Sequence, residues 1–505
     1  MQGRRTTITI LLLAALGGSA YGQTTAICAL HIRDALIIDG TGNPAVTGDI
    51  CILGDTIARV DTRQQRERHT PAIDARGLIV APGFIDLHAH GDPLATPDFP
   101  NFLAMGVTTV CLGQDGSSVP VDQMQEWLAQ VRAVTPGVNI VPFAGHGTMR
   151  RVVGDAPDAS GITRLCAQVD AAMRLGCYGV SMGLEYVPGR SATPEELRAV
   201  AGRVGAAGGL IMSHIRNEDD DQLRESLNEM RALADSCRVH IAHLKSVYGR
   251  GVERADEIAA MLAADPGMTA DMYPYTASYT GIGILFPPWA KTRSAFEKAL
   301  IERREELRQY LIDRVERRNG PEATLFGTAP FTGMTLAEVA GAADRHYADV
   351  LLDLGPQSVS GAYFIMDSVL QDRLFLHDRV AVSSDGSPTM HHPRGYGTFA
   401  RVLDRYVRKQ QVLSWEEAIH KMSGRSAQIL GLTHRGVVRA GNYADLSLID
   451  PATVRDRATY ATPHVPAEGV VMTIVNGQIA FREGEGVQGR AGRVLLRATS
   501  RTGGQ

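Results

Sequence analysis

Long apolar runs, a strong net charge and closely spaced cysteine motifs are all missing from this 505-residue sequence. The formal net charge is −4, so no long-range field attracts nucleic acid or an anionic membrane, and neither is an expected partner. After residue 23, no apolar run reaches the roughly 20 residues that a membrane-spanning helix needs. Hydrophobic residues at 44% and charged residues at 21% are typical of a globular enzyme, which favours a small-molecule substrate.

The six cysteines are scattered and include no CxxC pair, which excludes a small scaffold held together by disulfides. No Gly-X-Ser-X-Gly elbow occurs either, which argues against a serine hydrolase of the α/β type. In an oxidising compartment a free thiol is at risk unless it is buried, paired or bound to metal. The environment of each cysteine is therefore informative.

The amino-terminal segment has the three parts of a secretory signal. Arg4-Arg5 precede the apolar run Ile8–Leu16, and small residues with a plausible cleavage site at Ala20-Tyr21-Gly22 follow it. The run is shorter than a spanning helix, which favours cleavage over anchoring. We expect a signal peptide at residues 1–22 and a periplasmic or secreted mature protein that does not insert into the membrane.

Segments typical of buried strands alternate with helical stretches, a pattern that predicts an α/β fold with a parallel sheet. The predicted strands are Gly83–His88, Thr108–Leu112, Asn139–Ala144, Gly179–Leu184, Leu210–His214, Val239–His243, Thr269–Tyr273 and Val380–Ser384. Eight such strands with crossover helices predict a (β/α)8 TIM barrel over residues 82–432. The active site of such a barrel lies at the carboxyl ends of its strands.

Two regions fall outside the predicted barrel strands. Short β patterns with Gly and Asp turns fill residues 26–81 and 433–482, and we expect both to pair into one small β-sandwich domain. The charged, helical stretch at residues 281–331 is too long for an ordinary loop, so an inserted lid is expected there.

Polar side chains at the strand ends indicate a metal site. In His88-Ala89-His90 both imidazoles share one face, because side chains alternate along a strand, and both can reach one ion. His214 and His243 end two later strands, and Asp385 follows the eighth. A cluster of these five residues is expected at one barrel mouth. His240, three residues before His243, is expected on the other face in a structural role.

With these residues the chain resembles the amidohydrolase superfamily and, within it, the D-aminoacylases, or N-acyl-D-amino-acid deacylases. The matching motifs are Pro82-Gly83-Phe84-Ile85-Asp86-Leu87-His88-Ala89-His90, Cys111, Gly183-Leu184-Glu185-Tyr186, Ser213-His214, His243-Leu244-Lys245, Tyr273-Pro274-Tyr275, Ser384-Asp385-Gly386 and Pro393-Arg394-Gly395. They extend over nearly the whole chain. The resemblance implies a zinc-dependent hydrolase that acts on the amide bond of N-acyl-D-amino acids.

The metal ligands are also implied by this resemblance. Many superfamily members bridge two metals with a carboxylated lysine on strand four, but the predicted strand here contains no lysine. A thiolate at Cys111 is the expected substitute. The tight zinc site would then consist of Cys111, His214 and His243. His88 and His90, with Asp385, would line a second, weaker site.

The remaining predicted roles concern catalysis and substrate binding. Asp385 is the expected general base on the activated water and the later proton donor to the leaving nitrogen. By resemblance Arg394, Lys245, Tyr186 and Tyr275 would bind the substrate carboxylate or carbonyl.

Two other functions remain open for this pattern. The Arg-Lys pair fits a dipeptide as well as an acyl amino acid, so a dipeptidase or another amidohydrolase of small carboxylate-bearing amides is the alternative. The missing strand-four lysine argues against cyclic amides. A binding protein on a degenerate barrel would have lost metal ligands, whereas all six candidate positions are filled.

Overall fold

The computed structural model describes residues 28–62, 71–154 and 157–498. The predicted signal peptide at residues 1–22 lies outside them. The described part is a mixed α/β fold, as the alternating pattern predicted. None of its helices has the length and apolar character needed to cross a bilayer.

The strands are numbered here in chain order. They are β1 Leu30–Ile37, β2 Val46–Leu53, β3 Thr56–Asp61, β4 Ala72–Asp74, β5 Ile79–Pro82, β6 Phe84–Asp86, β7 Val107–Leu112, β8 Asn139–Pro142, β9 Ala144–Gly145, β10 Gly179–Gly183, β11 Leu210–His214, β12 Arg238–Ile241, β13 Met268–Met272, β14 Ala277–Gly281, β15 Thr324–Phe326, β16 Ser360–Phe364, β17 Val380–Val382, β18 Leu446–Ile449, β19 Val470–Val475, β20 Gln478–Arg482 and β21 Gly486–Val487.

The helices are numbered in the same way. They are α1 Pro100–Ala104, α2 Met124–Val134, α3 His146–Val153, α4 Ala159–Arg174, α5 Pro194–Ala206, α6 Asp220–Ala234, α7 Gly251–Ala263, α8 Arg293–Glu302, α9 Arg304–Arg317, α10 Leu336–Ala342, α11 Tyr347–Leu354, α12 Ser368–Phe375, α13 Arg394–Arg401, α14 Trp415–Met422 and α15 Gly424–Leu430. A π-helical segment, Val402–Lys409, continues α13.

Both ends of the described chain build one sheet. Its order is β21-β20-β19-β18-β5-β1-β2-β3, and β4 pairs with β1. The two predicted β regions therefore do pair with each other, through the antiparallel contact of β18 with β5. That these two regions form a β-sandwich domain remains a prediction. A disulfide between Cys28 and Cys51 joins β2 to the residue that begins the described chain.

The central strands are parallel and lie close to their predicted positions. Hydrogen bonds order them as β6-β7-β8 and as β9-β10-β11-β12-β13-β17. They are short and almost wholly buried, because helices cover their outer face. The first and last strands meet at their carboxyl ends, where Ala89 and Gly386 form a parallel bridge and Asp385 N donates to His88 O at 2.8 Å.

The helices that follow these strands show why the sequence folds this way. In α5, Thr193 caps the amino terminus by accepting a hydrogen bond from Glu196 N, and Pro194 occupies the first turn, where no intrahelical donor is needed. Leu197, Val200 and the equivalent buried positions recur at helical spacing. They join the large apolar core around the parallel strands.

An insertion separates β13 from β17. It contains the antiparallel sheet β14-β16-β15 and helices α8–α11, and it has its own apolar core. The charged helices α8 and α9 lie within the predicted range 281–331. The insertion nevertheless extends to Phe364, because β16 returns to pair with β14.

Candidate metal centre and substrate cavity

Four histidines and one aspartate meet where the parallel strands end. His88 and His90 follow β6, His214 ends β11, His243 follows β12 and Asp385 follows β17. His214 Nδ1 lies 3.0 Å from His243 Nε2, and His90 Nε2 lies 3.1 Å from Asp385 Oδ1. The rings of His88 and His243 are 4.7 Å apart. The structure thus brings together the five residues that were expected at this mouth.

A second carboxylate, from Asp115, lies between these histidines. Its Oδ1 is 3.4 Å from His88 Nε2 and 3.5 Å from His243 Nε2. Its Oδ2 is 3.5 Å from His90 Nε2. One carboxylate therefore faces both halves of the cluster. Sequence reasoning missed this residue.

The backbone holds Asp115 in this position. Asp115 has a φ of 53°, a left-handed conformation that aspartate tolerates better than most side chains. The loop also packs closely on β10, where a Cβ at Gly183 would lie 2.1 Å from the carbonyl oxygen of Asp115. Glycine at position 183 is thus required for the loop to approach the strand.

Cys111 does not lie with the histidines, contrary to its predicted ligand role. It is fully buried in β7 and packs in an apolar cluster with Leu87, Phe143 and Met212. Burial, together with the charges of Asp86 and Asp271, raises the pKa of its thiol well above the usual value. A thiolate ligand needs the opposite shift. Among the described residues, no group of potential metal ligands includes Cys111.

The described residues contain groups whose ligand atoms lie within 4.8 Å of one another. One consists of His88, His90, Asp115 and Asp385; another of Asp115, His214 and His243; a third of Glu185, His214 and Glu218. Imidazole nitrogens and carboxylate oxygens are common zinc ligands. Within the described chain, His88 Nε2 and Asp115 Oδ1 are buried without a hydrogen-bond partner. Such orphaned atoms fit a centre that takes a cation.

The electrostatics of the cluster favour positive charge. Burial opposes protonation of His90, but Asp115 and Asp385 outweigh it and raise the pKa of His90 to about 10. Burial also opposes ionisation of Asp385, yet Arg394 and the nearby histidines hold its pKa well below the usual range. The carboxylates thus remain anionic and would attract a metal ion as they attract protonated His90.

A buried polar layer supports the cluster from below. Asp271 accepts hydrogen bonds from His243 N at 2.7 Å and from the Ser383 hydroxyl, and it contacts His240 Nε2 at 2.8 Å. His240 is fully buried in this contact, in agreement with its expected structural role. Asp86 accepts from His88 N, and burial raises the pKa of its carboxyl to about 7. These contacts fix the backbone from which the ligands project.

The cluster opens into a cavity of about 690 Å³. Lys245, Arg394 and Tyr186 line it, as predicted for substrate-binding residues. Lys245 Nζ donates to Glu218 Oε1 at 2.6 Å, and Arg394 Nη1 lies 2.9 Å from Asp385 Oδ2. Arg394 Nε has no acceptor in the described chain, so it remains available to a ligand, whereas Nη1 faces Asp385.

Tyr275 lies outside this cavity, in contrast to its predicted role. It packs against the Arg401 guanidinium, whose central carbon is 4.7 Å from its ring centroid, and it lines a separate pocket. Tyr273, two residues earlier, lines the main cavity instead. Its buried hydroxyl has no partner among the described residues. Tyr273 rather than Tyr275 is therefore placed to donate a hydrogen bond to a ligand.

Comparison with known proteins gives consistent results along the chain. The sequence profile of the amidohydrolase family matches residues 162–481. The N-acyl-D-aspartate deacylase of Alcaligenes xylosoxydans xylosoxydans is 34% identical, over 92% of this chain and 94% of that protein.

Two solved structures are similar over the full length of their chains. A D-aminoacylase with a binuclear metal centre has a TM-score of 0.80 and 29% identity, and the match covers 93% of this chain and 100% of the other. The second is an N-acyl-D-glutamate deacylase from Bordetella bronchiseptica, in complex with zinc and a phosphonate that mimics the tetrahedral intermediate. It also has a TM-score of 0.80 and 29% identity, and the match covers 93% of this chain and 100% of the other.

Proposed function

Because this chain belongs to the amidohydrolase family and, within it, to the N-acyl-D-amino-acid deacylases, we propose that it hydrolyses the amide bond of N-acyl-D-amino acids with zinc. One observation carries this function: the histidine and carboxylate cluster opens into a cavity that also presents the buried cations Lys245 and Arg394. A metal-dependent hydrolase needs the cluster. A substrate with a free carboxylate needs the cations.

The metal ligands follow from the two groups that share Asp115. Asp115 Oδ1 faces His88, His214 and His243, and its Oδ2 faces His90, so one carboxylate belongs to both groups of potential ligands. We therefore assign Asp115 the bridging position that had been expected of Cys111. When bound there, zinc would lower the pKa of a water molecule towards about 7 and polarise the scissile carbonyl.

Asp385 is the group that moves the proton. Its Oδ1 faces His90 and its Oδ2 faces Arg394, so the carboxylate is held in one orientation at the cavity wall. It accepts a proton from the attacking water as the water oxygen bonds to the carbonyl carbon. It then gives that proton to the amide nitrogen as the carbon–nitrogen bond breaks. The products are a carboxylate and a D-amino acid.

The substrate α-carboxylate would bind to the cations beside the cluster, where Lys245 Nζ lies 2.9 Å from His243 Nδ1. Arg394 offers its Nε donor, Lys245 offers a point charge, and Tyr273 offers its buried hydroxyl. The Arg394 guanidinium carbon lies 4.6 Å from the centroid of the Tyr273 ring, so the two donors are packed together. Tyr186 lies beside His214 and would contact the scissile amide.

With β8 and β9 counted as one strand, the eight parallel strands would form a closed barrel around this centre. The bridge between Ala89 and Gly386 supports closure on one side, and the hydrogen bond from Tyr178 N to Pro142 O at 2.9 Å supports it on the other. The terminal sheet would be a separate small domain. The insertion would act as a lid, because it contributes Tyr279, Thr280 and Ile284 to the cavity wall.

The signal-like amino terminus and the disulfide between Cys28 and Cys51 support export of the mature protein.

A panel of substrates tests the reaction. Purified mature protein loaded with zinc should release free amine from N-acetyl-D-amino acids and not from their L-enantiomers or from dipeptides. Asp385→Asn should lower kcat by roughly 10²- to 10⁴-fold, the range typical of a lost general base. Turnover confined to dipeptides or L-substrates would instead support the alternative peptidase function.

A further inference from the structure

The cavity is larger than a short acylated amino acid needs. Its volume of about 690 Å³ lies within the range of sites that enclose drug-sized molecules, roughly 300–1,000 Å³. An N-acetyl amino acid with its amide at the metal cluster and its carboxylate on Lys245 and Arg394 would leave much of this space empty. The side chains that line the remaining space therefore bear on which substrate fits.

The cavity is lined by two kinds of side chain that come from different strands. The polar groups proposed to bind the carboxylate, Lys245, Tyr273 and Arg394, follow β12, β13 and β17. The segments after β6, β7 and β10 instead contribute a set of apolar side chains. We call this set the apolar wall, and its members are Leu94, Val119, Met124, Trp127 and Val187. The metal cluster lies between the two sets.

The apolar wall is accessible from the cavity. Val187 is 49% exposed and Leu94 is 36% exposed, and both line the cavity. Val119 and Trp127 are half-buried and pack against the large core with their inner sides. A single exposed apolar side chain is ordinary on a protein surface, whereas a group of them in one cavity is typical of a binding site.

The segments that carry the apolar wall are held in place without a ligand. Leu94 N donates to Asp92 Oδ1 at 2.8 Å. The loops after β7 and β10 touch, since a Cβ at Gly116 would lie 2.9 Å from Gly183 N. Asp92 and Arg151 also line this part of the cavity, but both are exposed to solvent. The wall is therefore preformed and presents apolar surface to a ligand.

We propose that the apolar wall binds the acyl chain of the substrate, so that the preferred acyl groups are medium-length alkanoyl chains and not acetyl. The inference rests on the proposed function and deepens it. In a trans amide, the carboxylate and the side chain both branch from the carbon on the nitrogen side. The acyl chain leaves from the carbonyl carbon in the opposite direction. With the carboxylate on Lys245 and Arg394, the acyl chain is therefore directed towards the apolar wall.

Two substrate series test this subsite and separate the acyl chain from the side chain. N-acetyl-, N-butanoyl-, N-hexanoyl- and N-octanoyl-D-alanine vary only the acyl chain. The N-acetyl derivatives of D-alanine, D-norvaline and D-norleucine vary only the side chain. In the acyl series kcat/KM should rise about two- to fourfold for each added methylene, as expected for partly to fully buried methylenes. A rise confined to the side-chain series would overturn the proposal, and so would no rise in either.

A double variant makes the wall polar with little change in size. In Leu94→Asn/Val187→Thr, the ratio of kcat/KM for the octanoyl and acetyl substrates should fall towards one. Because a ratio is compared, a general loss of activity does not affect the result. Val152→Thr is the matched control, since Val152 is 67% exposed on α3 and does not line the cavity. A wild-type ratio in the double variant would contradict the assignment.

A binding measurement covers the case in which the reaction is not the one proposed. Calorimetry on the zinc-loaded wild-type protein should show octanoate bound more tightly than butanoate by a similar factor per methylene, with a more negative heat-capacity change. Equal affinities would overturn the subsite. Absence of turnover on every N-acyl-D-amino acid, with the dependence of affinity on chain length intact, would instead reject the proposed reaction and support the apolar subsite.

Discussion

Asp115 shows how one loop residue can change the ligands of a metal centre. Its two oxygens face different histidines, so it is placed to bridge two metal positions with oxygen ligands alone. Cys111 lies four residues earlier in the same strand-loop unit but points into apolar packing. The proposed centre therefore contains only nitrogen and oxygen ligands, which bind hard divalent ions more readily than a thiolate site does.

Replacing Asp115 should remove metal from the protein. In Asp115→Ala, both histidine groups lose their shared carboxylate, so we expect bound zinc per chain, measured by elemental analysis after dialysis, to fall. An outer supporting residue already changes metal affinity by about 10- to 100-fold, and a direct ligand should cost at least that much. The kcat should fall in parallel.

Cys111→Ala is the matched control for this experiment. It creates a cavity in a packed apolar cluster, so it should lower the stability of the protein while leaving the zinc content unchanged. Cobalt-substituted wild-type enzyme should also lack the absorption band of a thiolate ligand. Loss of zinc in Cys111→Ala, with full zinc in Asp115→Ala, would return the ligand role to the cysteine.

Site residues could be predicted from the sequence where a regular strand places them. The four histidines and Asp385 lie at or next to strand ends, and strand ends can be recognised from apolar runs. Asp115 lies in a loop whose left-handed backbone cannot be inferred from strand alternation. The one available signal was an acid between glycines directly after a strand, in Gly113-Gln114-Asp115-Gly116. Tyr273 and Tyr275 were not distinguishable, because both flank one proline.

At the scale of elements, the parallel strands were predicted to within a few residues because their apolar runs are continuous and bounded by turns. The insertion was predicted too short. Its helices α8 and α9 have clear charge patterns, but β14, β15 and β16 are three to five residues long and pair across the insertion. Pairing of such short strands depends on tertiary contacts that a local pattern does not contain.

Helices α3 and α5 are joined by a buried polar contact that lies outside the cavity. His146 Nε2 lies 2.7 Å from Glu196 Oε1, and Arg150 forms an ion pair with the other carboxylate oxygen. All three side chains are almost wholly buried, and none lines the cavity. His146 thus has a structural partner, although the residue follows a strand end like the metal-site histidines.

Breaking this contact should lower stability without changing activity. Glu196→Gln leaves the Arg150 charge buried without its carboxylate, and such a loss costs about 3–5 kcal/mol. The Tm measured by calorimetry should fall by several degrees, while kcat/KM stays at the wild-type value. Glu195→Gln is the control, since Glu195 is exposed in the same helical turn. An equal Tm for both variants would show that the contact is not stabilising.

At the scale of the whole molecule, buried polar contacts attach the terminal sheet to the parallel strands. Asn139 at the start of β8 donates to Asp445 Oδ2 at 3.1 Å, and Asn476 donates to Asn139 Oδ1 at 2.8 Å. Arg435 pairs with Asp445 in the same network. The sheet therefore has a fixed position against the strands, and it contains the disulfide between Cys28 and Cys51.

That disulfide connects the fold to the proposed export. If the mature protein folds in an oxidising compartment, four of its six cysteines should react with a thiol reagent under denaturing, non-reducing conditions, and all six after reduction. Mass spectrometry of protein isolated from the periplasm measures both numbers.

Cys28→Ser is the control variant, because its five remaining cysteines should all react without reduction. The variant should also unfold at a lower temperature, because a disulfide typically contributes about 2–4 kcal/mol. Six reactive thiols in the periplasmic wild-type protein before reduction would contradict both the pairing and the argument for export that depends on it.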